Sequence, residues 1–383
     1  MKKSVSMMLA AMMAASVALS GCGSQSADTA GKTTGAATTA AETTAAETTA
    51  AETTAAGTTA AETTASGTAA SETTPKLTGD TGDSCQAGVR VGSLKGPTSM
   101  GLVYLMDKAE KGETENHYEF TMTGAADELV GKIASGDLDI ALLPANVASV
   151  LYTKTQKNVT VLDINTLGVL YVVASDDSIK SIADLKGKTV YMTGKGTTPE
   201  YVMNYLISAN GLAAGDVDLQ FKSEATEVAS LLKQNPDAIG VLPQPFATAA
   251  CIQNEALKPV LDLTEQWNAL NKDSGSMLVT GVTIVRTDFL RENREPVKLF
   301  LADHKESAQY AVDHVDETAE LVAAAGIVEK APIAKKALPY CNIVCLTGQE
   351  MKDALSGYLG VLFEQDAKSV GGQLPADDFY YMP

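Results

Sequence analysis

Histidine, cysteine and tryptophan are scarce in this chain of 383 residues, which contains three, five and one of them respectively. No histidine follows a predicted strand, where a catalytic base is expected; the three are His117, His304 and His314. The cysteines include no CxxC pair, so the sequence predicts no structural zinc site and no other metal site. Beyond Cys22, four cysteines either stay as free buried thiols or form one of three sets of disulfides; they are Cys85, Cys251, Cys341 and Cys345.

Basic residues are also few relative to acidic ones. The chain has 29 Lys and Arg against 47 Asp and Glu, a formal charge of −18. Residues 1–85 hold 4 of the basic and 8 of the acidic residues, so the remainder carries −14. A surface this negative repels phosphate backbones, and the sequence therefore predicts no nucleic-acid partner.

Long apolar runs are absent except for one near the start, from Met7 to Leu19. This run follows Lys2 and Lys3 and is shorter than the roughly 20 residues that a membrane span requires, so it predicts a secretory signal. The segment Leu19-Ser20-Gly21-Cys22 resembles the lipobox of bacterial lipoproteins, in which the cysteine becomes lipidated. We expect residues 1–22 to be a lipoprotein signal peptide and the rest to be exported, soluble and anchored through Cys22 at the outer face of the cell membrane.

Residues 23–84 contain no aromatic residue, valine or isoleucine and only one leucine. They are rich in Ala, Thr and Glu, and the motif AAETT recurs around Glu42, Glu47, Glu52 and Glu62. Such a segment has no apolar surface to offset the entropy of ordering it. It predicts a disordered linker, either O-glycosylated on threonine or bare, that holds a domain about 40–50 Å from the membrane.

The remaining residues alternate apolar runs with helical patterns, which predicts an α/β fold with largely parallel sheets. Predicted strands include Val89–Ser93, Tyr118–Met122 and Asp139–Leu143, and predicted helices include Ser99–Lys111, Thr226–Gln234, Val297–Val312 and Gln349–Phe363. A second unit of the same kind begins near Tyr171, and the β-like run from Met277 to Val285 returns to the first. We expect lobe one to comprise residues 85–170 and 282–383, with lobe two, residues 171–281, inserted into it.

Several loops that follow predicted strands are small, hydroxylic or rich in glycine, and each precedes a predicted helix. In open α/β sheets, ligands bind beyond the carboxyl ends of strands, where helix N-termini offer free N–H groups. The predicted ligand residues of these loops are Ser93, Lys95, Gly96, Pro97, Thr98, Thr123, Gly124, Asn146, Gly194, Thr197 and Thr198. Thr166, Leu167 and Gly281 lie in the two predicted crossings between lobes and are expected to form the cleft floor.

Two alternatives exist for the loop Gly194-Lys195-Gly196-Thr197-Thr198. It lacks the GxxxxGK[ST] pattern of a phosphate loop and the third glycine of GxGxxG, so neither nucleotide fingerprint fits. The loop is therefore either one wall of a cleft or a plain strand-to-helix turn capped by Thr198.

The segments VGSLKGPTSM, GDLDIALLPAN, IADLKGKTVYMTGKGTTPEYVMNYLISANGL and GVLPQPFATAA resemble solute-binding proteins of ABC importers. The resemblance runs from about Val89 to Phe379, and the nearest branch binds nitrate, sulfonates, taurine and thiamine-pyrimidine precursors. It implies the type II periplasmic-binding fold and a monomeric ligand carrier without a cofactor that delivers to a permease and its ATPase. It also adds Gln244, between Pro243 and Pro245, to the expected ligand residues. Aromatic stacking residues and an arginine clamp are missing from the loops, which leaves the ligand open.

Two other functions compete with the carrier. A sensory module that presents its closed state to a receptor needs the same cleft. Some enzymes of pyrimidine and menaquinone precursor synthesis share the fold, but this chain has neither a cysteine cluster beyond Cys341 and Cys345 nor a GxSxG elbow. We therefore expect a binding protein and not an enzyme.

Overall fold

The structure is a computed structural model that describes residues 88–383. The predicted signal peptide, Cys22, the linker and Cys85 lie outside the described residues. None of the described helices combines the length and the apolar character that crossing a membrane requires.

Six strands form sheet one, in the order β11-β4-β10-β3-β1-β2. β1 pairs in parallel with β2 and β3, whereas β10 is antiparallel to β3 and β4, and β11 is antiparallel to β4. The strand bounds are β1 Gly88–Leu94, β2 His117–Thr123, β3 Ile140–Pro144, β4 Val159–Leu167, β10 Val279–Arg286 and β11 Ile343–Leu346. β3 and β4 are almost wholly buried, as expected of strands covered on both faces.

Five strands form sheet two, in the order β7-β6-β8-β5-β9. β6 is parallel to β7 and β8, and β5 is antiparallel to β8 and β9. The bounds are β5 Leu170–Ala174, β6 Thr189–Met192, β7 Asp218–Phe221, β8 Ile239–Pro243 and β9 Lys258–Asp262. The strands of sheet two therefore lie, along the chain, between β4 and β10 of sheet one.

Helices connect these strands. The helices that follow the first strands of sheet one are α1 Pro97–Met100, α2 Val103–Glu110, α3 Ala126–Ser135 and α4 Ala145–Lys154. The helices of the segment that carries sheet two are α5 Thr198–Ala209, α6 Ala225–Gln234, α7 Phe246–Gln253 and α8 Leu263–Leu270. After β10 come α9 Thr287–Glu292, α10 Arg294–Asp313, α11 Val315–Ala324, α12 Ala331–Ala337 and α13 Gly348–Gln365. Short 3₁₀ turns cover Ile182–Leu185, Leu338–Tyr340, Ala367–Val370 and Asp377–Phe379.

The predicted α/β class is confirmed by this arrangement. The prediction of largely parallel sheets is wrong, because β10 and β11 in sheet one and β5 in sheet two pair antiparallel with their neighbours. The single helix predicted over Ser99–Lys111 is wrong, because the chain forms α1 and α2 with a break at Gly101 and Leu102. A Cβ atom at Gly101 would lie 2.8 Å from Ile343 Cγ2, so the break lies where the chain approaches β11 closely. Helical periodicity alone does not reveal such a contact with a distant strand.

Only Gly168 and Val169 separate β4 in sheet one from β5 in sheet two. A Cβ atom at Gly168 would lie 2.3 Å from Thr264 Oγ1, so the crossing has room for glycine alone. The Gly168 carbonyl accepts a hydrogen bond of 2.6 Å from Asn342 Nδ2. The crossing is thus held by residues from both the sheet-two segment and the C-terminal part of the chain.

A continuous hydrophobic core joins the two sheets, and α13 contributes much of it. Tyr358 of α13 packs edge-on against Trp267 of α8 with ring centroids 5.6 Å apart, and Tyr205 of α5 lies 4.5 Å from Trp267. Trp267 and Tyr358 are fully buried. Aromatic pairs of this kind add about 0.5–1.5 kcal/mol beyond their buried area. α13 therefore bridges the parts of the chain that carry the two sheets.

Two glycines of α13 provide a matched test of this bridge. A Cβ atom at Gly357 would lie 2.6 Å from Ser276 Cβ and 3.1 Å from Ser276 Cα, whereas one at Gly360 would meet nothing within 4 Å. We expect Gly357→Ala to lower the free energy of unfolding by about 1–3 kcal/mol through overpacking. Gly360→Ala should raise it by about 0.5–1 kcal/mol, because alanine favours the helix. Denaturant unfolding of both variants measures the difference, and equal effects would contradict the close packing of α13 on Ser276.

Candidate functional site

The carboxyl ends of the parallel strands of both sheets adjoin the crossing at Gly168 and Val169. In sheet one, β4 ends there and is parallel to β3 and β1, because β10 runs antiparallel between β4 and β3. In sheet two, β5 begins there and is antiparallel to β8, so β8, β6 and β7 end at the same side. The loops that follow these strands therefore occupy two neighbouring sheet edges, where ligands of α/β proteins bind.

The edge of sheet one brings several predicted residues together around Gly281. This glycine pairs with Pro144 of β3 and with Thr166 of β4. A Cβ atom at Gly281 would lie 2.5 Å from Thr98 Cγ2 and 2.4 Å from Asn165 Oδ1. Thr98, Thr166 and Gly281 thus form one buried group at the end of the sheet.

The loop after β1 and the loop after β2 are connected directly. The Lys95 amide donates to the Thr123 carbonyl at 2.9 Å, and the Thr123 hydroxyl donates to the Ala125 carbonyl at 3.0 Å. Lys95 itself is exposed, and its Nζ lies 3.9 Å from the position that a Cβ atom would take at Gly326. The predicted residues of this edge differ in exposure: Ser93 and Thr123 are buried, Gly96, Pro97 and Leu167 are half-buried, and Gly124 is exposed.

A buried chain of hydrogen bonds leads from this edge into sheet one. The Thr166 hydroxyl donates to Asn165 Oδ1 at 2.9 Å, and Asn165 Nδ2 donates to Thr283 Oγ1 at 3.1 Å. Thr283 in turn donates to Asp163 Oδ1 at 2.9 Å. Satisfied buried networks hold their members in one arrangement, so the floor of the edge is preorganised.

The loop after β6 contains two glycines in the left-handed region, Gly194 at φ 84° and Gly196 at φ 71°. The Glu200 carboxylate accepts a hydrogen bond from the Gly196 amide. The single proton of the Tyr201 hydroxyl is shared between the Gly196 carbonyl oxygen at 3.0 Å and Asp366 Oδ2 at 3.1 Å. α5 begins at Thr198, so the suggested cap at Thr198 is wrong and Thr197 occupies the cap position. The Thr197 hydroxyl donates to the Gly194 carbonyl at 2.7 Å and caps no helical N–H group.

The Glu200 carboxylate changes what this loop can bind. It lies in the first turn of α5, where a negative charge is favoured by the helix dipole, and it already uses the Gly196 amide. A phosphate or other anion at this amide would have to displace Glu200 against charge repulsion. The groups that the loop offers to a ligand are therefore its other backbone amides, its threonine hydroxyls and the exposed ammonium group of Lys195.

Gln244 is buried beside the crossing. Its backbone N–H donates to the Val169 carbonyl at 2.9 Å, and its side-chain oxygen accepts a hydrogen bond from the Thr248 hydroxyl at 2.8 Å. A groove of about 430 Å³ opens next to it between α7 and the turn around Tyr340; its lining residues are Gln244, Ala247, Thr248, Cys251, Ile252, Glu255, Pro259, Lys336, Pro339 and Tyr340. Gln244 is the single predicted ligand residue in this lining.

Asn146, at the start of α4, reaches the C-terminal segment, where its Nδ2 donates to the Ser369 carbonyl at 3.5 Å. In the same segment, Asp366 Oδ2 accepts a hydrogen bond of 3.1 Å from the Tyr201 hydroxyl of α5. Burial and this hydrogen bond both raise the pKa of Tyr201, which keeps the hydroxyl protonated and able to donate. Residues 366–370 thus connect the beginning of α4 with the beginning of α5.

Sequence reasoning missed several residues of this region. Ser99 is fully buried and donates to the Leu94 carbonyl, although its place beside Thr98 in the loop could have indicated it. Asn165 directly precedes Thr166 in β4, and nothing in the local sequence distinguishes it from a purely structural strand residue. Tyr201 and Asp366 are 165 residues apart, and no local pattern connects them.

The chemistry of the predicted ligand residues is that of hydrogen bonding. Among them are hydroxyls, amides, glycines and one lysine, but no carboxylate, imidazole or thiol. Such groups can orient a polar ligand and cannot act as a metal site or as an acid–base pair.

Comparison with known proteins identifies what the chain is similar to. Residues 123–318 match a family model described as NMT1/THI5 like. A Brucella abortus protein named as a binding protein is 23% identical over 223 residues, which are 58% of this chain and 65% of that protein. The match thus spans less than two thirds of the length of this relative.

Solved structures show the same fold. An ABC transporter structure from Parabacteroides distasonis has a TM-score of 0.64 and 22% identity, covering 76% of this chain and 98% of that chain. The periplasmic aliphatic sulphonate-binding protein SsuA from Escherichia coli has a TM-score of 0.62 and 17% identity, covering 77% and 92%. The expected type II periplasmic-binding fold is confirmed by these likenesses.

Two tyrosines of α5 test the connection through residues 366–370. We expect Tyr201→Phe to lower the free energy of unfolding by about 0.5–1.5 kcal/mol, because it removes the hydroxyl that Asp366 and the Gly196 carbonyl share as acceptors. It should also speed amide hydrogen exchange at the beginning of α5 and at residues 366–370. The control is Tyr205→Phe, whose hydroxyl donates to Asn271 within the sheet-two segment at 3.0 Å. Faster exchange at residues 366–370 in both variants would contradict a specific role for Tyr201.

Proposed function

The chain belongs to the NMT1/THI5-like family, and from this membership we propose that it is an extracellular solute-binding protein of an ABC importer. In this proposal a small molecule binds between lobe one, residues 85–170 and 282–383, and lobe two, residues 171–281. The closed complex then delivers the molecule to a permease and its ATPase.

The main support for the proposal is that the carboxyl ends of the parallel strands of both sheets meet beside the crossing at Gly168 and Val169. The loops at these ends carry the predicted ligand residues. Thr98, Thr166 and Gly281 lie at the end of sheet one, and the loop Gly194–Thr198 lies at the corresponding end of sheet two. A ligand that contacts both edges stabilises the closed arrangement by the contacts it gains there. Likeness of fold to structures of ABC-importer binding proteins supports the same interpretation.

The proposal includes a location and an oligomeric state. We propose that Cys22 carries a lipid anchor that keeps the monomeric chain at the outer face of the cell membrane, with residues 23–84 as a spacer. The signal-like run Met7–Leu19 and the AAETT repeats support this part of the proposal.

We further propose that the chain binds its ligand without converting it. The predicted ligand residues include no histidine, carboxylate or cysteine that could activate a hydroxyl or serve as a catalytic base, which supports binding over catalysis. An enzyme of the same family is the alternative, and formation of product from a bound compound would favour it. A sensory role would be favoured by a receptor gene beside this one, and a carrier role by adjacent permease and ATPase genes.

The charges near the two edges suggest how a ligand lies between them. Glu200 uses the Gly196 amide and disfavours an anion at that loop. Lys95 is exposed at the opposite edge and can pair with an acidic group. We therefore propose that an acidic group of the ligand pairs with Lys95 or with the exposed Lys195, and that neutral groups of the ligand hydrogen-bond to the loop Gly194–Thr198.

A panel of small molecules tests the capture of a ligand. The panel comprises nitrate, alkanesulfonates, aromatic acids and pyrimidines, added to the chain beginning near Cys85, which we expect to be a soluble monomer. A ligand at a hundredfold excess over its Kd should stabilise the protein by about 2.7 kcal/mol, visible as a higher melting temperature. Native mass spectrometry should show one bound molecule of unchanged mass. A bound compound that changes mass during incubation would refute the carrier.

Bulky substitutions in α5 test the site on lobe two. Thr198→Trp and Thr197→Trp should weaken binding of a panel ligand by more than about tenfold, because each fills space at the edge of sheet two. Ser208→Trp is the matched control, since Ser208 is exposed on the same helix about 15 Å from Thr198. Calorimetry gives the ligand affinity of each of the three variants, which is compared with that of the unsubstituted chain. Unchanged affinity in both threonine variants would show that this loop is not part of the site.

A further inference from the structure

Three side chains of metal-ligating types meet inside the part of the chain that carries sheet one. Asp163 comes from β4, His304 from α10 and Cys345 from β11, and one ligand atom from each lies within 4.8 Å of the others. Asp163 Oδ2 and His304 Nδ1 are 3.2 Å apart. We infer that these three residues form a binding site for a divalent transition-metal ion of the zinc type.

The burial of the carboxylate and the imidazole supports a cation at this position. Asp163 and His304 are 0% exposed. Within residues 88–383, His304 is the only ion-pair partner of Asp163. His304 Nε2 is buried and has no hydrogen-bond partner among these residues. A buried carboxylate without a permanent cation is costly, and a metal ion bound beside it would compensate for its lost hydration.

The types of the three ligand atoms select the ion. A thiolate sulfur, an imidazole nitrogen and a carboxylate oxygen form a set that zinc binds in proteins, whereas Mg²⁺ and Ca²⁺ prefer oxygen ligands alone. The carboxylate of Asp163 and the thiolate of Cys345 would together balance two positive charges. Three protein ligands leave a fourth position for water, and the partial exposure of Cys345 provides a route of entry.

The surroundings of Asp163 already hold it in place. Thr283 Oγ1 donates to Asp163 Oδ1 at 2.9 Å and accepts from Asn165 Nδ2 at 3.1 Å. Hydrogen bonds to the far atom of a ligating group orient that ligand and raise metal affinity. A bound ion would connect α10 and the short edge strand β11 to β4, which gives the site a structural role. Because Asp163 and His304 are 141 residues apart, no sequence motif predicts the site.

Cobalt titration of the full chain tests this inference. After removal of metal with a chelator, we expect the chain to bind one Co²⁺ with a thiolate-to-cobalt charge-transfer absorption in the near ultraviolet, which Zn²⁺ then abolishes. Cys345→Ser should remove this absorption and weaken Zn²⁺ binding by more than about tenfold. Thr283→Val should keep the absorption but weaken binding by about 10–100-fold, as expected for a positioning residue.

Two controls keep the outcome decisive. Cys251→Ser removes a half-buried cysteine outside the cluster, and His314→Gln removes a histidine at the end of α10. Both should retain the absorption and the affinity. A wild-type chain without the charge-transfer absorption overturns the inference, whether or not the variants fold. An absorption that persists in Cys345→Ser overturns it as well, because the thiolate would then come from another cysteine.

Discussion

The direct passage of β4 into β5 is the constraint on which the rest of the structure depends. β4 is a nine-residue strand, buried at all but its last residue, and only Gly168 and Val169 separate it from sheet two. Space for this passage exists because Gly168 has no side chain, and the hydrogen bond from Asn342 holds its carbonyl. So short a connection forces the ends of both sheets to adjoin, and it brings loops that are far apart in sequence to the same region.

α13 sets the second condition, because its contacts hold together the parts of the chain that carry the two sheets. Tyr358 belongs to a fully buried aromatic group with Trp267, and Tyr201 reaches Asp366 just beyond the helix. Separating α13 from these partners would expose apolar surface, which costs a free energy of roughly 25 cal/mol per Å². It would also break the Tyr201 hydrogen bond. In the proposed carrier, a hinge movement that keeps these α13 contacts would therefore cost less than one that breaks them.

The edges of both sheets consist largely of hydrogen-bonding groups. Thr98 and Thr166 are buried in a preorganised group, and their partners are other hydrogen-bonding side chains or backbone. At the other edge, the Glu200 carboxylate accepts a hydrogen bond from the Gly196 amide, so an anion at that amide would compete with this carboxylate.

Local sequence patterns are sufficient to predict the α/β class, the family and the approximate bounds of most strands and helices. Hydrophobic periodicity and strand-to-helix loops are local properties, so neighbouring residues are enough to specify them. The break at Gly101, the role of Glu200 and the meeting of Asp163, His304 and Cys345 were decided only by tertiary structure. Each depends on the order of strands in a sheet or on the rotamer of one side chain, and contacts of that kind join residues whose separation along the chain carries no periodic signal.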